Sequence, residues 1–330
     1  LVVNKLVRTI ILLIIALFAM VVLFYFYNRP GTSIANNTGA KSDTTVYWKA
    51  VDINSISDTT LKQQVQYGKE LIVHTAKYFG PKGIVIKSTN GLNCQNCHPQ
   101  AGTAIFGNNF GSVASMYPKF KARSGTKENL AKKVNDCFER SLNGKTIDTT
   151  GKEMQAMLAY INFIGSNVIK GTKAVGSGPK DLPYLDRAAD STNGSIVFNT
   201  KCKSCHQYNG QGLLNADSTE FIYPALWGKN SFNDAAGIIH ISLFAKFVKN
   251  NMPVGTTYAK PQLTDEEAWD VAAFIISQPR PHMATPKDWP DIKTKPIDHP
   301  IGPYADTFSV SQHKYGPFKM IAALNLNNKK

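Results

Sequence analysis

Cys94-Gln95-Asn96-Cys97-His98 is the stretch that decides how the rest of this chain is read. Two thiols at this spacing can each add across one vinyl group of a haem, and the histidine that follows then lies beneath the iron. The pattern returns once, as Cys202-Lys203-Ser204-Cys205-His206, so the two copies use four of the five cysteines in the 330 residues. A zinc site assembled from unrelated cysteines is the competing reading. The full repetition, histidine included, favours two covalently bound haem c groups, attached at Cys94, Cys97, Cys202 and Cys205. His98 and His206 are then the proximal iron ligands.

Working outward, each motif sits between a helix with apolar residues at helical spacing and a second such helix. In the first haem domain, 47–170, these helices are expected over Thr60–Phe79 and Gly151–Ile164. Gly68 is a candidate for close crossing of the two. In the second, 188–280, a short helix covers Asn193–Phe198, and Thr264-Asp265-Glu266-Glu267 reads as a capping box opening the closing helix. The Gly- and Pro-rich segment 171–187 is the linker between domains. Residues 281–330 have many prolines and little periodicity, so an extended tail packing on the domains is expected. The fold class is therefore all-α: two cytochrome c-like domains, a tail and an N-terminal transmembrane helix.

That last element rests on Ile10–Phe26, nearly all apolar, preceded by Lys5 and Arg8 and bordered by Tyr25 and Tyr27. Such a stretch is long enough to cross a hydrocarbon core with its N-terminus in the cytoplasm. Residues 1–28 are read as a membrane anchor and 29–46 as a flexible linker. A cleaved signal peptide is the alternative. Either reading puts the haem domains in the periplasm, on the outer side of the bacterial inner membrane. The net charge of +14 suits nucleic acid, an anionic membrane surface or small anions. Haem attachment outside the cytoplasm removes nucleic acid from that set.

Each iron needs a sixth ligand. Asn251-Met252-Pro253 lies between the second motif and its closing helix, which makes Met252 the expected distal ligand there, with Met283 second. The first domain offers His74, Met116, Met154, Met157 and the odd cysteine, Cys137. Glu128–Asn143 reads as a helix carrying Leu130, Val134, Cys137 and Phe138 on one face. Basic side chains surround Cys137 (Arg123, Lys132, Lys133, Arg140), and they would stabilise a thiolate, the form that binds iron and attacks sulfur. A buried structural cysteine is the plainer alternative.

Asn135-Asp136-Cys137-Phe138-Glu139-Arg140-Ser141-Leu142-Asn143-Gly144 resembles the active-site helix of the thiosulfate dehydrogenases, dihaem cytochromes that join two thiosulfates into tetrathionate. Tyr117-Pro118, Lys121-Ala122-Arg123-Ser124-Gly125 and the tail stretch Gln312–Phe318 are similar too. The resemblance implies that Cys137 is both the distal ligand of the first haem and the reacting sulfur, and that Arg123, Lys133 and Ser141 hold the anion. Lys133 stands where the family pattern has Arg, which loses a bidentate contact. Asn251 stands where some members have a Lys, so a Lys/Met ligand exchange is not expected.

The resemblance makes the first domain catalytic and the second an electron-transfer domain that passes electrons to an acceptor cytochrome or oxidase. The alternatives are the reverse reaction as a tetrathionate reductase, a substrate-free electron-transfer cytochrome, and a dihaem peroxidase. The last two give Cys137 no role.

Overall fold

Two glycines fix how the helices of each haem domain cross. In the computed structural model, which describes residues 17–20 and 45–327, the first haem domain contains α1 (Thr59–Val73), α2 (Leu130–Arg140) and α3 (Lys152–Ile164). A Cβ on Gly68 of α1 would lie 2.0 Å from the Ala156 carbonyl oxygen of α3, so only glycine permits this approach. The second domain repeats the device with α4 (Ser191–Lys201), α5 (Ile241–Asn251) and α6 (Asp265–Ser277). There a Cβ on Gly194 would lie 1.9 Å from the Asp270 carbonyl oxygen. Close crossing lets Val65, Leu71, Met157 and Tyr160 pack into one fully buried cluster. Each such side chain contributes about 1.5–3 kcal/mol through burial. Phe198, Trp269, Val271 and Ile275 do the same in the second core.

The helix expected over Thr60–Phe79 is broken at His74, giving α1 and a separate helical turn, Thr75–Phe79. The break receives the first haem motif. Thr75 Oγ1 donates back to the Leu71 carbonyl at 2.8 Å and accepts the Cys94 N–H at 3.0 Å, while the Ala76 N–H donates to Asn93 Oδ1 at 2.7 Å. The capping box forms as its residues require: Thr264 Oγ1 accepts the Glu267 N–H at 3.1 Å and Glu267 Oε2 accepts the Thr264 N–H at 2.8 Å.

Several expectations need correction. The N-terminal transmembrane helix is withdrawn: among the described residues no helix is long and apolar enough to cross a membrane. Of segment 1–28 only Leu17–Met20 is described, as helix. The rest of 1–28 and most of the 29–46 linker lie outside the described residues. The domains are also not wholly helical. β1 (Lys119–Lys121) pairs antiparallel with β2 (Thr126–Glu128), and β3 (Leu213–Leu214) with β4 (Phe221–Tyr223). The tail is not wholly extended either, because it contains α7 (Val310–Tyr315) and α8 (Lys319–Asn327). Ser309 caps α7 by accepting the Gln312 N–H, and Gly316 ends it at φ 85°. Phe318 and Ile321 are then buried in the second core.

Candidate functional site

α2 is held at both ends. Asn129 caps its N-terminus by accepting the Lys132 N–H at 2.9 Å, and Asn233 of the second domain donates to the Glu139 carbonyl near its C-terminus at 2.9 Å. Phe138, fully buried, meets Phe79 edge to face at 5.1 Å between ring centres. With Phe138 turned into the core, Lys133, Cys137 and Ser141 fall four residues apart on a neighbouring stripe. All three line one cavity, together with Cys94, Cys97 and His98. The cavity holds about 890 Å³; its remaining lining is largely apolar, with Ile72, Leu92, Phe110 and Ile161, and also includes Asn93 and Asn109. Its polar rim includes Tyr117 and Asn96.

A second cavity of about 770 Å³ is lined by Cys202, His206 and Met252 among Phe232, Phe244, Val248 and Ile275. Leu92, Asn96 and Cys97 line both cavities, which makes them neighbours across the domain boundary. Cys205 is not among the residues lining the second one.

The donor sets fit a covalently attached haem at each motif. All five cysteines are free thiols. His98 Nδ1 lies 2.6 Å from the Asn108 carbonyl oxygen and His206 Nδ1 lies 2.9 Å from that of Pro224. Each Nδ1–H is thereby occupied as a donor, which leaves the Nε2 lone pair for iron. Burial keeps both rings neutral, pushing His98 down to about 4 and His206 below its usual value. Burial likewise pushes the Cys94 and Cys97 thiols up to about 12.

Among the candidates for the sixth position of the first site, Cys137 alone lines the cavity. Met154 and Met157 are wholly buried in the α1–α3 core, and His74 pairs with Glu220 at 3.0 Å. In the second domain Met252 lines the cavity, whereas Met283 lies in the tail, its sulfur 3.7 Å from Asn233 Nδ2.

The basic residues divide. Lys133 lines the first cavity; Arg123 does not. Arg123 donates to Asp136 at 3.0 Å, and Lys132 pairs with the same carboxylate. That carboxylate is almost inaccessible, with its side chain 3% exposed. Burial alone would raise the Asp136 pKa, but Lys132 and Arg123 outweigh it and hold the group below its ordinary value. Arg140 is likewise engaged, gripping Asp288 of the tail through two contacts of 2.7 and 2.9 Å. Lys119 and Lys121, of which only the second lies in a stretch singled out in the sequence, lie over the Tyr117 ring at 5.4 and 5.7 Å from its centre. Their alternation along β1 is a two-residue signal, too short to stand out before the hairpin was seen.

Comparisons with known proteins identify the family. The SoxA/TsdA cytochrome c domain matches residues 86–168, and the cytochrome c family matches 191–279. The chain is 38% identical to a thiosulfate dehydrogenase of Allochromatium vinosum over 60% of its own length and 73% of the relative's. It is 33% identical to a thiosulfate dehydrogenase of Psychrobacter arcticus over 80% of its own length and 79% of the relative's. Among solved structures, the thiosulfate dehydrogenase TsdBA of Marichromatium purpuratum superposes with a TM-score of 0.66 at 26% identity. That match covers 72% of this chain, which spans half the length of the TsdBA chain. With two haem motifs, two cytochrome c domains and these relatives, the chain belongs to the thiosulfate dehydrogenase family of dihaem c-type cytochromes.

Proposed function

We propose that this protein oxidises two thiosulfate anions to tetrathionate, with Cys137 as the reacting sulfur. The reading is carried by one observation: Lys133, Cys137 and Ser141 share a cavity with the first haem motif. The Cys137 thiolate bonds to the outer sulfur of one thiosulfate, giving a Cys–S–S–SO3⁻ adduct and releasing two electrons. The terminal sulfur of a second thiosulfate attacks the adduct's sulfane sulfur, the one bonded to Cys137 Sγ. The new S–S bond completes tetrathionate, and the bond to Cys137 breaks to return the thiolate. Splitting the coupling this way replaces one difficult step with two easier ones. Lys133 offsets the repulsion between thiolate and dianion, and the Ser141 hydroxyl donates to a sulfonate oxygen. Arg123 acts from behind, fixing Asp136 and through it the register of α2.

When bound, the two haems would supply one-electron acceptors, the first held by His98 and Cys137 and the second by His206 and Met252. The second domain is then the exit toward an acceptor cytochrome or oxidase. Haem attachment at both motifs supports a periplasmic site of action. The first domain spans 47–170, the linker 171–187 and the second domain 188–280. A substrate-free electron carrier would give Lys133, Cys137 and Ser141 no role.

The test is turnover of thiosulfate with an artificial electron acceptor by the wild-type holoprotein and by Cys137→Ala. Tetrathionate formation by the first and none by the second is the expected result. Full activity in Cys137→Ala would overturn the reading.

A further inference from the structure

The proposed coupling joins two dianions, and the seat of Lys133, Cys137 and Ser141 offers the only Lys or Arg, among the described residues, on the lining of the first cavity. Beside it lies positive charge that this seat does not use. β1 sets Lys119 and Lys121 on the same side of the strand, with Phe120 exposed on the other. Both ammonium groups lie over the ring of Tyr117, at 5.4 and 5.7 Å, and Tyr117 lines the cavity together with Lys133 and Cys137. Among the described residues neither Lys119 nor Lys121 forms an ion pair, whereas Arg123 and Lys132 share Asp136.

The acid acting on Lys121 is Glu128, which is buried and faces Lys119 across the hairpin register. Burial, followed by the charges of Lys133, Lys119 and Arg123, pushes Lys121 down to about 8. Lys119 is lowered by burial and then by Lys173 and Lys133. Several like charges crowded with fewer carboxylates among them, Glu128 and the already paired Asp136, are held at a cost that an anion between them removes.

We infer that Lys119 and Lys121, over the Tyr117 ring and beside Lys133, form a second anion seat that holds the incoming thiosulfate for its attack on the Cys137 adduct. The inference rests on the function proposed above. The step it serves is a displacement with no net oxidation: one S–S bond forms, the adduct's bond to Cys137 breaks, and its electron pair stays on the Cys137 sulfur. Lys133 steadies the adduct's sulfonate while Lys119 and Lys121 neutralise the second dianion, so the two anions meet without their full mutual repulsion.

The two half-reactions can be timed separately. The holoprotein is loaded with thiosulfate in the presence of ferricyanide, freed of excess reagent, and then discharged with fresh thiosulfate. The mass of the peptide carrying Cys137 reports both stages. In Lys119→Gln/Lys121→Gln, discharge is expected to slow by about tenfold at low ionic strength, with loading affected less and the deficit shrinking at high salt. Lys121→Arg should retain discharge, and single Lys121→Gln provides a milder variant should the double one lose its haem spectrum. Discharge at the wild-type rate overturns the second seat while leaving the function intact. So does an equal loss in loading and discharge, which would make these lysines general attractors of anions. Failure of the wild-type protein to load an adduct overturns the proposed function, and the second seat with it.

Discussion

Where the first cavity is lined by Lys133, Cys137 and Ser141, the second presents Met252 among Phe, Val, Leu and Ile side chains. The frames around them are alike: a glycine crossing, a haem motif with its histidine Nδ1 on a backbone carbonyl, and a closing helix. What differs is the segment between motif and closing helix. In the first domain that segment carries the basic hairpin β1–β2 and α2 with Lys133 and Cys137; in the second it carries β3–β4 and α5, which Met252 caps. A thiolate flanked by cations can bond to sulfur. A thioether in an apolar wall can only ligate, which suits electron transfer. Under the proposed function, one duplicated fold acquires a reacting half and a conducting half through the side chains these two segments carry.

The largest effect expected is that of Cys137→Ala, which should lower turnover by a factor of about a thousand or more while both haems stay attached. Low-temperature EPR should lose a thiolate-type low-spin signal in the same variant. An unchanged spectrum would mean that another residue ligates the first iron and that the two halves differ less than argued here. Met252→Gly should act on the conducting half alone. The thioether absorption band should vanish and turnover fall by about tenfold, with adduct formation on Cys137 retained. Persistence of the band would contradict ligation by Met252.

Smaller effects separate the basic residues. Lys133→Ala should raise KM for thiosulfate by about tenfold at low salt and by less at high salt, because screening weakens attraction for a dianion. Arg123→Ala should lower thermal stability instead, by about 1–3 kcal/mol, since it leaves buried Asp136 with Lys132 as its remaining cation. A KM effect as large as that of Lys133→Ala, with no change in melting, would put Arg123 on the substrate.

The smallest effect concerns the tail. Burial alone would raise the Asp298 pKa, but its hydrogen bond to His240 at 3.0 Å and its contacts with Ser242 outweigh this, bringing the group from 3.8 down to about 2. A lowered carboxylate stabilises the fold fully above its unfolded value and loses that contribution as pH falls through its folded one. Melting should therefore weaken between about pH 4 and pH 2, and less steeply in Asp298→Asn. The same slope in both proteins would remove Asp298 from the account.

Much of this was legible because the chemistry is local in sequence. A haem motif spans five residues, a capping box four, and Gly68 announced a close crossing that Ala156 completes. Cys137 stood out as the cysteine left over from two motifs. What sequence could not carry was pairing over distance. Arg123 and Arg140 read as free positive charge, yet each is engaged by an acid, Asp136 and Asp288, the latter far along the chain. Lys121 stood out only as part of a longer stretch and Lys119 not at all, because their placement over Tyr117 depends on β1. The tail's α7 and α8 escaped detection because α7 is six residues long and α8 shows its apolar side only against the second core.

The contrast between a reacting and a conducting cavity is tested most directly by mass spectrometry of the holoprotein after exposure to thiosulfate and an oxidant. The account expects added sulfur on the peptide carrying Cys137, and none on that peptide in Cys137→Ala or on the peptide carrying Met252. An unmodified Cys137 in protein that is actively forming tetrathionate would contradict it.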